Sequence, residues 1–166
     1  MTNIFVIADT HFGHRNILTF KDREGNLIRG SHFKTIEEHD EALVANWNAT
    51  VQPMDHVYHL GDVVINKRSL DIIHRLAGHK RLVLGNHDIF PVETYLAAGF
   101  EKVYGVRVFP AHGLIFSHIP LHPNSLVERG WKNIHGHMHN NKLDDEVHYQ
   151  CVSVEHTEYK PLLLMR

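Results

Sequence analysis

Short apolar runs and amphipathic stretches alternate along the first hundred residues, and the pattern changes after them. Residues 3–8 (N-I-F-V-I-A) form the continuous, β-branched run of a strand buried on both faces. Residues 21–30 are polar around Gly25-Asn26 and predict a surface loop or small hairpin. Thr35-Ile36-Glu37-Glu38 has the form of a capping box. It opens a helix with Ile36, Leu43, Val44, Trp47 and Val51 on one face, ended by Pro53. A strand over 56–60, a helix around 69–76, a strand over 81–84 and a short helix over 92–98 follow. Beyond them, 102–109, 114–117, 133–134, 148–154 and 162–165 all read as strands between turn residues. The first half is β-α-β-α-β and the second mostly β. That order predicts an α/β sandwich of two packed sheets with helices outside.

Composition narrows the class. A chain of 166 residues fits one domain over 1–166. A net charge of −2 creates no basic field that would attract nucleic acid or anionic membrane in bulk. The single cysteine, Cys151, rules out an intramolecular disulfide and any cysteine-rich zinc module. It alternates with apolar Val152 and Val154 and is expected to be inert. No apolar stretch approaches the length that spans a bilayer, and the run after the N-terminus lacks a charged flank, so a cytoplasmic protein is expected. The outlier is histidine: 17 residues, about a tenth of the chain. Imidazole is the commonest metal ligand.

The polar clusters sit immediately after the predicted strands. Asp9-Thr10-His11-Phe12-Gly13-His14 follows the first, Gly61-Asp62 the second and Gly85-Asn86-His87-Asp88 the third. Ser117-His118 and His135-Gly136-His137-Met138-His139 follow later ones. The carboxyl ends of strands are where open α/β sheets hold ligands. Oxygen and imidazole donors without thiolate suit Mn, Fe, Zn, Co or Ni. Seven such donors exceed the needs of one ion and suffice for two sharing a bridging carboxylate, an arrangement that supports phosphoryl transfer. Taken singly the clusters have plainer readings: Asp9, Gly61-Asp62 and Gly85-Asn86 as turns, His137 and His139 as solvated residues sharing one strand face. His112, before Gly113, competes with His118. The latter is preferred because it directly follows the apolar run 114–116.

In this order, Asp-x-His, Gly-Asp, Gly-Asn-His-Asp, a lone His and Gly-His-x-His resemble the calcineurin-like metallophosphoesterase superfamily. The resemblance runs from Asp9 to His139, and Val152-Ser153-Val154-Glu155 with Tyr159-Lys160-Pro161 is similar to the closing strands of that group. It implies Asp9, His11 and His139 as ligands of a first metal and Asp62 as the bridge. Asn86, His118 and His137 become ligands of a second, and His87 a catalytic histidine that binds no metal. It also implies a four-layer α-β-β-α sandwich, in agreement with the pattern. Gly61-Asp62 continues as Val63-Val64-Ile65 rather than Asp-Arg-Gly, unlike the serine/threonine phosphatase branch. Asp-Thr-His-Phe-Gly is similar to the first motif of a nuclease branch, but the chain is closest in size to minimal phosphodiesterases.

The expected protein is therefore a dinuclear phosphoesterase, with diesters ahead of monoesters and two divalent ions, manganese favoured. A hydroxide shared by the ions would attack phosphorus in line with the leaving group. His87 would protonate the leaving oxygen or stabilise its charge, and Asp88 would orient His87 or hold its loop. His14 and Arg15 are substrate-facing candidates, Arg15 as a bidentate phosphate partner. His122 reads as a turn residue, His135 as structural, and His32, His39, His56, His74, His79, His148 and His156 as surface or packing residues. The partners expected are a small phosphoester or nucleotide-type substrate, no membrane, and at most a second copy. The alternative, a non-catalytic metal-binding interaction module on the same fold, predicts a degraded ligand set. All seven positions keep coordinating side chains.

Overall fold

The computed structural model describes residues 2–166. Strands β1 (Ile4–Ile7), β2 (His56–His59), β3 (His79–Val83) and β4 (Phe100–Tyr104) lie parallel in a first sheet. Parallel neighbours require crossovers. Helix α1 (Ile36–Thr50), a 3-10 helix (Lys67–Arg75) and α2 (Val92–Ala97) supply them. A second sheet holds β5 (Arg107–Phe109), β6 (Leu114–Phe116), β7 (Lys132–His135) and β8 (Tyr149–Cys151) in chain order. The last strand, β9 (Leu162–Met165), returns to the first sheet antiparallel to β1, giving the order β4-β3-β2-β1-β9.

The run that begins with β1 is apolar on both sides because it serves two cores. Phe5 and Ile7 face Leu43, Val44 and Trp47 of α1, with Val57 and Leu82 beside them. Val6 and Ala8 face the other way, with Tyr58 and Leu60, onto Phe116, Ile134 and Val152 of the second sheet. Successive side chains of a strand point to opposite faces, so one unbroken hydrophobic run supplies both interfaces. Thr35 caps α1, its hydroxyl accepting from the Glu38 amide at 3.1 Å, and Trp47 anchors the helix end by donating to the Ala77 carbonyl at 2.9 Å. The outer cover of the second sheet is a cluster of Ile115, Leu126 and Tyr149 beneath 3-10 turns at Pro123–Ser125 and Val127–Arg129.

Three expectations change in form. The strand read over 102–109 is two strands in different sheets, broken at Gly105-Val106. One apolar pattern spans both because each half packs into the same inter-sheet core. The helix around 69–76 is 3-10. Leu70, Ile73 and Leu76 recur every third residue, and all three are buried on one line. Residues 21–30 do turn back, with Lys21 bridging Leu27, but Arg29 inside them is fully buried. No helix among the described residues is long and apolar enough to cross a membrane.

Candidate metal centre

Parallel strands end on the same edge, and the polar clusters collect there. Asp9 and His11 follow β1, Asp62 follows β2, Asn86 follows β3, His118 follows β6, and His137 and His139 follow β7. The backbone turns sharply at these points. Asp9, His11, Asp62, His137 and His139 all take positive φ, between 48° and 70°. Such conformations cost non-glycine residues about 1–3 kcal/mol and persist where the surroundings enforce them. Asp and His tolerate them better than most. Each such turn brings a polar side chain back over the end of its strand. The plainer reading of His137 and His139, two residues sharing one strand face, does not hold, since β7 stops at His135 and both lie in the turn after it.

Two ligand groups result. Asp9, His11 and His139 offer atoms within 4.8 Å of one another, and so do Asp62, His118 and His137. Asp62 stands between them: its Oδ2 is 3.6 Å from His11 Nε2 and 3.4 Å from His118 Nε2. Asn86 Oδ1 lies 2.9 Å from His118 Nε2, and His137 Nδ1 lies 3.2 Å from the same atom. The first group contains buried donors without hydrogen-bond partners: Asp9 Oδ1 and both ring nitrogens of His11. A buried, unpartnered carboxylate oxygen beside the unpartnered His11 imidazole is costly alone and stable around a cation. Burial pushes the Asp9 carboxyl up, against His118 and His139, and drives His11 well below its ordinary value, helped by Arg29. Neutral imidazole is the form that binds metal. At Asp62, burial pushes upward but His118, the His87 amide and His11 outweigh it, so the group stays a carboxylate. The donor sets fit two divalent cations.

The candidate ligands are held from behind. His118 Nδ1 donates to the Leu60 carbonyl at 2.8 Å, which aims Nε2 at the centre. His139 Nδ1 donates to Glu155 Oε1 at 3.1 Å, and Arg29 Nε donates to the same oxygen at 2.8 Å. Arg29 also donates to the backbone carbonyls of Asp9 and Thr10 and to His39 Nε2. Burial raises Glu155, yet Arg29 and His139 hold its carboxyl down at about 2. Asp9 Oδ2 accepts from the His137 amide at 2.8 Å and the Ser153 hydroxyl at 2.7 Å, leaving Oδ1 as the free donor.

A family model described as calcineurin-like phosphoesterase matches residues 2–163. The chain belongs to the calcineurin-like phosphoesterase family. It is 32% identical over 174 residues to the uncharacterized protein MJ1445 of Methanocaldococcus jannaschii, covering 99% of this chain and 88% of that one. It is also 31% identical over 93 residues to the Gene 66 protein of Mycobacterium phage L5, covering 53% of this chain and 41% of that one. The crystal structure of the protein of unknown function AQ665 from Aquifex aeolicus superposes with a TM-score of 0.72 at 25% identity, covering 98% of this chain and 96% of that one. Membership makes the protein a phosphoesterase of the metal-dependent kind in general terms.

In this calcineurin-like chain the remaining expected residues divide. His87 stands at the mouth, half exposed, its amide donating to Asp62 Oδ1 at 2.9 Å and its Nε2 4.0 Å from Asp62 Oδ2. Asn86 and His87 form a turn rather than an extended pair. Asp88 does not touch His87. Its buried carboxylate accepts from the amides of Asp62, Val63 and Gly85 and so fixes the loops that carry the ligands. His14 is half-buried with its ring 5.8 Å from His11. Arg15 points away, exposed, with its guanidinium 3.7 Å from Glu37. His112 is exposed before β6, at the end opposite His118.

The supporting residues Arg29 and His39 had no local signal, because a polar residue in a polar stretch looks the same whether buried or not. Ser153 and Glu155 did lie in a legible segment, the alternating Val152-Ser153-Val154-Glu155 run that resembles the family's closing strands, but nothing in it marked them as supports of the centre. His59, buried with Nε2 2.9 Å from the Thr10 hydroxyl, is a further support.

Proposed function

We propose that this chain hydrolyses phosphodiesters at a two-ion centre with Asp62 as the shared ligand and His87 as the group that assists the leaving oxygen. The observation that carries the reading is Asp62 Oδ2, which lies within 3.6 Å of a histidine nitrogen from each ligand group. Divalent ions bound there would polarise the phosphoryl oxygens and acidify a coordinated water toward neutrality. Asp9, His11 and His139 would hold one ion, and Asn86, His118 and His137 the other. Manganese suits this mixed oxygen and imidazole set, which has no thiolate to favour zinc.

The chain's own residues supply the rest. His87 reaches over the centre without joining either ligand group, so its Nε2 is free to give a proton to the departing oxygen. Asp62 keeps that residue in place through its amide. The preference for diesters is supported by the mouth, where the imidazoles His14 and His87 stand 5.8 and 5.7 Å from the His11 ring and where Arg15 is turned toward Glu37. A terminal phosphate with two charges lacks a fixed guanidinium there, whereas a singly charged diester needs none.

The test compares bis(p-nitrophenyl) phosphate with p-nitrophenyl phosphate on chelator-stripped protein, before and after adding Mn²⁺. The expected result is no turnover without metal and a kcat/KM at least tenfold higher for the diester with it. Full turnover in metal-free protein refutes the two-ion reading, and a preference for the monoester refutes the diester assignment.

A further inference from the structure

A cavity of about 550 Å³ opens beside the first ligand group, with His137 and His139 in its wall. Sites that hold ligands of nucleotide size measure roughly 300–1,000 Å³, far more than a phosphoryl group occupies. The cavity is unevenly lined. Ile17, Phe20, Ile28 and Met138 supply its apolar lining, with Met138 carried on the turn between the candidate ligands His137 and His139. Phe20 is 44% exposed and offers its ring to the cavity. Its ring meets His14 edge-on at 6.0 Å, and His14 lies 5.8 Å from His11, so aromatic surface leads from the cavity to the ligands.

The polar side has a sign. Arg29 and Glu155 neutralise each other at the inner end, 2.8 Å apart. The Asp22 carboxylate also lines the cavity and accepts from the amides of Glu24 and Asn26 at 2.9 Å each, so Lys21, Arg23 and Arg29 exceed Asp22 and Glu155 by one positive charge. Lys21 and Arg23 stay exposed at the rim, and the exposed Asn140 adds an amide beside Met138.

We infer that this cavity takes the nucleoside arm of a nucleotide phosphodiester: the base lies against Phe20 and Met138, its polar edge meets Asn140, and a further anionic group on that arm meets Lys21 and Arg23. The inference rests on the proposed function for the position of the phosphorus, which the neighbouring His137 and His139 set. An acyl arm would favour an unbroken apolar lining, and this lining is interrupted by the amides of Asn140 and Asn141 and by the rim cations Lys21 and Arg23. A planar base with an anionic substituent uses all three features. Stacking on one aromatic side chain is worth about 1–3 kcal/mol per base, which corresponds to roughly 5- to 150-fold in affinity.

The experiment uses the full chain loaded with Mn²⁺ and three nitrophenyl esters, carrying thymidine 5′-phosphate, methyl phosphate or dodecyl phosphate. The thymidine ester should exceed the methyl ester in kcat/KM at least tenfold. In Phe20→Ala and in Met138→Ala that ratio should fall at least fivefold, through KM rather than kcat. In parallel, calorimetry with thymidine 5′-monophosphate should show binding that Phe20→Ala weakens at least fivefold. This arm reads the cavity even where no ester is turned over, a result that would defeat the phosphoesterase reading alone. The inference is overturned by a ratio near one, by a ratio indifferent to both substitutions, by preference for the dodecyl ester, or by nucleotide binding that does not depend on Phe20.

Discussion

Arg29 shows how much of the centre depends on a residue that touches no candidate metal ligand atom. Its guanidinium spans the Asp9 and Thr10 carbonyls, His39 and Glu155, and Glu155 in turn fixes His139. Removing it leaves a buried carboxylate without its cation, a loss of about 3–5 kcal/mol where such pairs have been broken. Arg29→Ala is expected to lower unfolding stability by that order in urea. Arg29→Lys should recover little, because one ammonium cannot reach four acceptors in a planar fork. His87 poses the opposite case, an exposed group with little structural work. His87→Ala should keep its metal content by elemental analysis and lose about 10²- to 10⁴-fold in turnover. The loss should grow with the leaving-group pKa, small for nitrophenol and large for an alkyl alcohol. Equal losses across that series would leave His87 a purely positioning or electrostatic residue.

At the scale of elements, stability and site geometry separate. The Thr35 cap stabilises α1 from its far end, and Thr35→Ala is expected to cost about 1 kcal/mol with metal content unchanged. Gly85 sits where the loop after β3 crosses the loop after β2, and a Cβ there would stand 2.2 Å from Asp62 Oδ1. The same Cβ would also stand 2.5 Å from the Asp62 amide nitrogen, so Gly85→Ala is expected to displace Asp62 between the two candidate ligand groups. Its measured metal content should fall for both ions, while the far-ultraviolet spectrum stays close to that of the parent. A Gly85→Ala protein that retains both ions would show that the loop, and not Asp62, gives way.

Across the whole molecule, both sheets contribute to one centre, three ligand-bearing strands from the first and two from the second. Ions bound there would tie the sheets together in the native state only. Stability should rise with free Mn²⁺ by about 2.7 kcal/mol at a hundredfold excess over the dissociation constant, read as a melting temperature that climbs with metal concentration. A melting point indifferent to metal would contradict ligands drawn from both sheets. Acid acts through a different group. Burial lowers His59 to about 3, so it stays neutral in the folded chain while the unfolded chain takes up a proton near 6.5. Its contribution is whole above pH 6.5 and is lost as the pH falls from there toward 3. For metal-free protein, His59→Gln should make the fall of stability between pH 6 and pH 4 shallower by about one proton.

The sequence by itself determined what neighbouring residues encode. The cap and apolar face of α1, the double-sided run entering β1, and the ligand clusters behind five strands are local patterns, legible because periodicity and turn chemistry act within a few residues. Family order among those clusters also implied the candidate grouping of Asp9, His11 and His139 apart from His118 and His137, and the fold brings those side chains together in the same sets. Only the tertiary structure decided what depends on distant parts of the chain. Arg29 is buried because its acceptors come from residues 9, 10, 39 and 155, and nothing within 21–30 announces them. Asp88 holds loops instead of His87 because the amides of Asp62 and Val63 are brought to it across the sheet. The break between β4 and β5 divides a single apolar stretch between two sheets, since one core between them accepts both halves. Hydrophobic pattern states that a residue is covered, and only the closed fold states by what.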